Sequence, residues 1–243
     1  EKGYAAAAAA GLDGGTIDPS GASINTESGF SIINYTGNGT AGATVAHGLG
    51  KKPAWIIIKR RDAAGNWMVY HQQINDGSSP EDFYIALNSN GSYYDSTNML
   101  NDTAPTSTLI TLGSHASVNA NTGTYTMFCW AEIPGFSKFG EYRARDTNYT
   151  GPYIHTGFKP AWIMTKGISL SWQDWVILDS KRSTSSTSGT NPISGKLGAN
   201  ETIIEDHGNY NVVDFVSDGW RVSGQSASDI NCGSGYPKQL YMA

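Results

Sequence analysis

Charge is scarce in this chain: 15% of its 243 residues are Asp, Glu, Lys or Arg, and the balance is −5, with a sequence pI near 5.5. Binding a nucleic acid by phosphate neutralisation needs clustered Lys and Arg, so no nucleic-acid partner is expected. The one basic cluster, Lys59-Arg60-Arg61, is short and falls at an expected strand end, where it reads as solvated charge. Long apolar runs are missing too. No stretch approaches the ~20 residues of a membrane span, which argues against membrane insertion, and the alanine run at 5–10 has no hydrophobic signal core around it. Cysteine occurs twice, at Cys129 and Cys232, with no Cys/His ligand spacing nearby. That argues against a disulfide framework and a zinc site and leaves the state of the two thiols open. No window carries a 3.6-residue apolar period, so no long helix is expected.

Catalytic signatures are equally sparse. The chain has no Gly-x-Ser-x-Gly elbow, His-Glu-x-x-His helix or phosphate-binding glycine loop. Of the five histidines, His47 and His155 stand at matched places before a repeated tetrapeptide and read as turn-stabilising rings. His71 is matched by Asp179, while His115 and His207 have no counterpart. The acidic residues Asp174, Asp179, Glu205, Asp206, Asp214 and Asp218 are spread at ordinary density without a calcium-loop spacing. The expectation is therefore a protein that is not an enzyme and holds no metal or cofactor.

What the chain does have is a repeat. Pro53-Ala54-Trp55-Ile56 and Pro160-Ala161-Trp162-Ile163 are the same tetrapeptide 107 residues apart, each leading into an apolar run that ends in a lysine, Lys59 or Lys166. Trp67-Met68-Val69-Tyr70 is answered by Trp175-Val176-Ile177-Leu178. A repeat of this length is domain-sized, so it implies duplicated domains and not a solenoid. Gly29-Phe30-Ser31 and Gly135-Phe136-Ser137 give the repeat starts, which divides the chain into a linker at 1–28 and domains at 29–134 and 135–243. The second copy ends about three residues early when 240–243 is set against 123–132, so its last strand reads as truncated.

Within the repeats, short β-branched and aromatic runs bounded by Gly, Asn, Asp, Ser or Pro predict strands near 30–35, 54–59, 67–71, 83–87, 108–112 and 125–132. The second copy offers 153–154, 161–166, 175–178, 211–216 and 220–222. A hairpin loop with φ > 0 is expected at 63–66, in Ala63-Ala64-Gly65-Asn66. The fold class is all-β: two tandem, duplicated antiparallel β-sandwich domains, jelly-roll-like.

Aromatics supply the candidate site. Trp55 and Trp162 recur at one place and read as buried core. Tyr93, Tyr94 and Trp172 instead stand in loop-like text among Asn, Asp and Ser, where a flat ring and polar neighbours suit the apolar face and hydroxyl edge of a sugar; packing under a loop or at a subunit contact is the alternative. Six Asn-X-Ser/Thr triplets, at Asn34, Asn38, Asn90, Asn101, Asn148 and Asn200, follow from composition.

The segments Gly29-Phe30-Ser31-Ile32-Ile33-Asn34-Tyr35-Thr36-Gly37-Asn38-Gly39, His47-Gly48-Leu49-Gly50 with Pro53, and Leu100-Asn101-Asp102-Thr103-Ala104-Pro105 resemble a domain of unknown function in bacteriophage virion proteins, many from marine and cyanobacterial phages. Pro134-Gly135-Phe136-Ser137-Lys138-Phe139-Gly140, Tyr149-Thr150-Gly151-Pro152 and Gly157-Phe158-Lys159-Pro160 look like the second half of the same pattern. The resemblance implies a tail-fibre or other virion structural protein, extracellular, with other virion proteins as partners; the loop aromatics add a host-surface glycan as the candidate ligand. It supplies no catalytic or binding residues. A homo-oligomer, trimeric by analogy with fibres, goes with that picture, and a capsid decoration or fibre-shaft protein without a ligand is the alternative. A polysaccharide-degrading enzyme would need a carboxylate pair that the sequence does not display.

Overall fold

The computed structural model describes residues 2–4, 10–145, 151–182, 191–202, 204–205, 213–223, 229–231 and 237–243. His207, Asp206, Asn148, Cys232, Tyr149-Thr150, most of the alanine run and the start of the strand expected at 211–216 lie outside the described residues. The chain is all-β and divides into two compact units, one of Glu1–Ala86 with Tyr93–Ile133 and one of Leu87–Ser92 with Pro134–Ala243.

The first unit contains β1 (Lys2–Tyr4), β2 (Gly21–Asn25), β3 (Phe30–Thr36), β4 (Ala43–Ala46), β5 (Trp55–Arg60), β6 (Met68–His71), β7 (Phe83–Ala86), β8 (Tyr94–Asp95), β9 (Leu109–Leu112) and β10 (Thr124–Trp130). Eight of these form one antiparallel sheet in the order β1-β2-β3-β10-β5-β6-β7-β8, and β4 pairs with β9 in a second sheet. The two sheets form a β-sandwich. Ile33, Ile56, Ile58, Met127 and Cys129 from the large sheet meet Val45, Ile110 and Leu112 from the small one in a single core. Residues 2–4 and 21–25, inside the stretch expected to be a linker, are strands of the large sheet, with Ala22 and Ile24 packed against the core.

Alternation along the strands sets the faces. On β10, Tyr125, Met127 and Cys129 point into the core, and the thiol of Cys129 is free, buried and raised in pKa by desolvation. Tyr125 stacks on Tyr35 at 5.1 Å. The Tyr35 hydroxyl donates to Val118 O at 2.6 Å and that of Tyr125 to Ala116 O at 2.7 Å, which ties the four-residue helix α1 (Ala116–Asn119) over the core edge. Buried Asn119 donates to Thr40 O and Gly113 O and accepts from the Asn38 N–H, which gives these three loop backbone groups their partners.

The second unit contains β11 (Phe139–Arg143), β12 (Tyr153–His155), β13 (Trp162–Gly167), β14 (Trp175–Asp179), β15 (Lys196–Gly198), β16 (Val213–Val216), β17 (Gly219–Val222) and β18 (Lys238–Met242). Its sheets run β11-β18-β13-β14-β15 and β12-β17-β16, all antiparallel. Ile163, Val176, Leu178 and Tyr241 of the first sheet close on Phe215, Trp220 and Val222 of the second. Trp220 is the centre of this core, edge-on to Tyr142 at 5.1 Å and to Tyr241 at 5.9 Å.

The repeated tetrapeptide opens the same hairpin in each unit. Trp55 faces His71 across β5 and β6, and Trp162 faces Asp179 across β13 and β14. The expected loop at 63–66 does join β5 to β6, but neither Gly65 nor Asn66 has positive φ. Gly65 O instead accepts from Lys59 Nζ at 2.6 Å, so a lysine tether shapes the loop in place of left-handed backbone.

Three other expectations are corrected by register and burial. Trp55 is 1% exposed, but Trp162 is only half-buried, while of the following pair Trp175 is fully buried and Trp67 is 36% exposed. His47 and His155 are not equivalent. The His47 N–H donates to Thr108 O, just before β9, and it is the Thr156 N–H that donates to Asp218 O, just before β17. Gly48 and Gly157, the next residues, both take left-handed φ, at 74° and 83°. His155 lies one residue earlier, exposed at the end of β12. The repeat starts shift as well: Phe139, not Phe136, enters the strand, and Phe136 is 61% exposed in the preceding turn.

Trp55→Ala should cost about 3–5 kcal/mol, as for a large aromatic in a core, and Trp162→Ala less than half of that, read by urea denaturation. Equal losses would contradict the burial difference.

His47 is fully buried, its Nδ1 accepting from the Leu49 N–H and its Nε2 3.3 Å from Thr106 O. Burial lowers its pKa to about 4, partly opposed by the Thr106 hydrogen bond. Because the folded value lies below the ordinary 6.5, the contribution is complete above pH 6.5 and is lost as pH falls towards 4, on the order of 3 kcal/mol in all. His47→Thr, which installs the residue the second unit uses at this turn, should flatten the stability profile between pH 6.5 and 4. An unchanged slope would assign the loss to other groups.

Candidate functional site

Tyr93 and Tyr94 belong to the first unit and Trp172 to the second. Tyr94 sits on β8, the edge strand of the large sheet, opposite Tyr84. Their rings stack at 5.6 Å, and Tyr94 remains 53% exposed, so one ring face is packed and the other is open. Desolvation, and secondarily Tyr94, raises the Tyr84 pKa. Tyr93 is half-buried and edge-on to Phe83 at 5.3 Å, which makes it a support for the strand more than a free platform.

Trp172 stands apart in exposure, at 82%. It occupies the loop between β13 and β14 with φ of 72°, in the left-handed region that a bulky residue seldom enters. The loop holds it there through its feet. The Trp172 N–H donates to Asn90 O at 3.0 Å, Ser169 Oγ accepts from the Lys238 N–H at 2.9 Å, and Asn200 bridges the Trp175 N–H to Asp174 Oδ1 at 2.7 Å each. Lys166, fully buried on β13, donates to Gly91 O at 2.8 Å and Gly167 O at 2.6 Å. The ammonium thus fixes the segment at 87–92 that receives the Trp172 amide, and its charge is met by carbonyls. The result is a tethered loop from which one indole projects.

The histidines take separate structural places. His71 is buried edge-on to Trp55 at 5.0 Å, with Nδ1 accepting from the Gln73 N–H. His115 caps α1 through the Ser117 N–H. His155 lies 3.4 Å from the Tyr153 hydroxyl and 3.7 Å from Asp218, on the surface. Several carboxylates pair with cations: Asp179 with Arg182 at 2.8 Å, Glu205 with Arg182 at 3.6 Å, and Glu201 and Asp229 with Lys196 at 3.2 and 2.8 Å. Among the described residues, no three His, Cys, Asp or Glu side chains converge to hold a metal. A cleft of about 450 Å³ in the first unit is lined by Gly11, Gly14, Ala46, Gly48, Gly50 and Thr108, with no titratable side chain among its walls.

Reasoning confined to loops missed a second set of rings on the large sheet of the first unit. On the face of β10 opposite the core, Phe128 and Trp130 lie 6.3 Å apart; Trp130 touches Phe30 at 4.8 Å, and Phe128 approaches Trp67 at 6.4 Å. The signal was present in 124–130, where alternate residues are apolar on both sides of the strand.

No curated protein and no solved structure matches the chain. The model of one family, Domain of unknown function (DUF7483), matches residues 3–243, which spans both units and both sets of rings, and the chain belongs to that family.

Proposed function

We propose that the chain is a virion-surface adhesion module, of the tail-fibre kind, that binds host-surface glycans through exposed aromatics on a β-sandwich scaffold. The virion setting rests on the resemblance of segments such as 29–39 and 134–140 to a bacteriophage virion domain. With that setting go the other virion proteins as partners, a homo-oligomer and an extracellular site. The two units are further proposed to be copies of one jelly-roll-like sandwich. In its favour, the last strand of each, β10 or β18, lies between the same two neighbours, β3 and β5 or β11 and β13. The matched hairpins favour it as well.

Trp172 carries the glycan reading. A non-glycine residue in left-handed backbone costs roughly 1–2 kcal/mol, and strain of this kind concentrates at binding and active sites. Here it presents the most exposed indole among the described residues. A ring face desolvates a sugar's C–H groups, and the surrounding amides and hydroxyls take its O–H groups. A binding protein of this kind has no need of a nucleophile or a bound cofactor, and we read the chain as not an enzyme. A capsid decoration or fibre-shaft role without a ligand is the second reading; exposed Phe136, at 61%, favours it as a subunit contact.

Trp172→Gly separates strain from function. Glycine takes this φ without strain, so the variant should be as stable as the parent or more so, by up to about 1 kcal/mol. Its binding on a glycan array should fall at least tenfold. Unchanged binding would remove Trp172 from the site and favour the second reading.

A further inference from the structure

The large sheet of the first unit has two apolar faces. Register maps the one opposite the core, which is buried over β5, β6 and β7 at Trp55, Ile57, Val69, His71 and Ile85 and half-open over β3 and β10. Phe30 faces Trp130, Ile32 faces Phe128, and Asn34 faces Thr126 across β3 and β10, all on the side opposite the core residues Ile33, Tyr35, Tyr125 and Met127. Phe30, Ile32, Phe128 and Trp130 are half-buried, and Trp67 is 36% exposed. The rings form one ladder, Phe30–Trp130–Phe128–Trp67, with successive centroids 4.8, 6.3 and 6.4 Å apart and planes within 30° of each other. From β3 to Trp67, the residue before β6, the ladder crosses three strand intervals, roughly 14 Å at ~4.8 Å each, the length of several sugar rings.

A polar row runs beside it. The Thr126 hydroxyl donates to Asn34 Oδ1 at 2.7 Å, which orients the amide and leaves its Nδ2 hydrogens without a partner among the described residues. Lys59, which faces Thr126 from β5, is already committed, donating to Gly65 O and lying 5.6 Å over the Trp67 ring.

We infer that this face is a second ligand site, a platform for an extended neutral polysaccharide chain, with the ring ladder against the sugars' C–H groups and Asn34 and Thr126 against their hydroxyls. It rests on the glycan reading above and gives it a second, longer subsite. Chemistry favours a glycan over a protein partner. A dry protein interface would desolvate the Asn34 donors without a fixed acceptor, whereas hydroxyls spaced along a sugar chain supply acceptors at every residue. The committed Lys59 ammonium and the net charge of −5 disfavour an acidic polymer.

Affinity gel electrophoresis tests this, with hydroxyethyl cellulose, galactomannan and a soluble mixed-linkage β-glucan as probes and thermal unfolding run alongside. Trp67→Ala removes an exposed end of the ladder. Asn34→Asp keeps the acceptor for Thr126 and removes the free donors, so both variants should remain folded. Each should weaken retardation by at least one probe about tenfold, with part of it retained in Trp172→Gly. If both bind as the parent does and Trp172→Gly alone loses retardation, the glycan reading stands and this inference falls. A parent retarded by none of the probes overturns both. If the parent sediments as an oligomer that Trp67→Ala dissociates, the face belongs to a second copy of the chain, and the polysaccharide platform is wrong.

Discussion

The slot of β10 between β3 and β5 is the constraint on which the first unit depends. Seven register pairs join it to β3 and six to β5, so the residues on either side of its ribbon fix what each sheet face becomes. Its inward side, Tyr125, Met127 and Cys129, closes the sandwich core, and its outward side, Phe128 and Trp130, builds the ring ladder. A strand that comes last in the unit but lies centrally in the sheet must pair with one far back in the chain, as Trp130 does with Phe30, 100 positions earlier. The sheet is therefore completed only when the whole unit has been gathered, and its contacts are of the non-local kind that folds slowly. In the second unit β18 takes the corresponding slot, between β11 and β13.

Much of this scaffold was legible in the sequence. Runs such as Ile56-Ile57-Ile58 between Pro53 and the lysine-tethered loop could be little else than strand, and the repeated tetrapeptide located a hairpin with the same cross-strand partners twice. What letters alone could not resolve was loop length. His47 and His155 match as residues, but the turns after them differ in length, and the backbone partner of His47 is inherited by Thr156. Burial diverged for the same reason that binding surfaces can diverge: Trp55 and Trp162 share a register position, but only the first is fully covered. For the candidate rings only exposure was legible: Trp172 and Tyr94, in polar loop-like text, are exposed, whereas Tyr93 packs on Phe83. The ladder escaped because candidate rings were sought in loop-like text, and 124–130 carries them on a strand.

Low charge and abundant aromatics acquire one explanation in this account. Where charge supplies little attraction, a surface must recognise its ligand by shape, ring contact and directed hydrogen bonds. The chain places rings at the projecting loop of Trp172, at the Tyr84–Tyr94 edge and along the ladder ending at Trp67. Carboxylates and cations are neutralised in local pairs such as Lys196 with Asp229 and Arg182 with Asp179. Attachment of this kind depends weakly on salt, because no counterions are released on binding.

The central claim is that exposed and half-exposed rings bind sugar while the buried ones only hold the fold. The seven tryptophans make this directly measurable, since each contributes one indole N–H resonance to a nitrogen–proton NMR spectrum. On titration with oligosaccharide fragments of a polysaccharide that retards the protein, the account predicts that Trp172, Trp67 and Trp130 shift while Trp55, Trp175 and Trp220 stay in place. Shifts confined to the buried set, or none at saturating ligand, would contradict it.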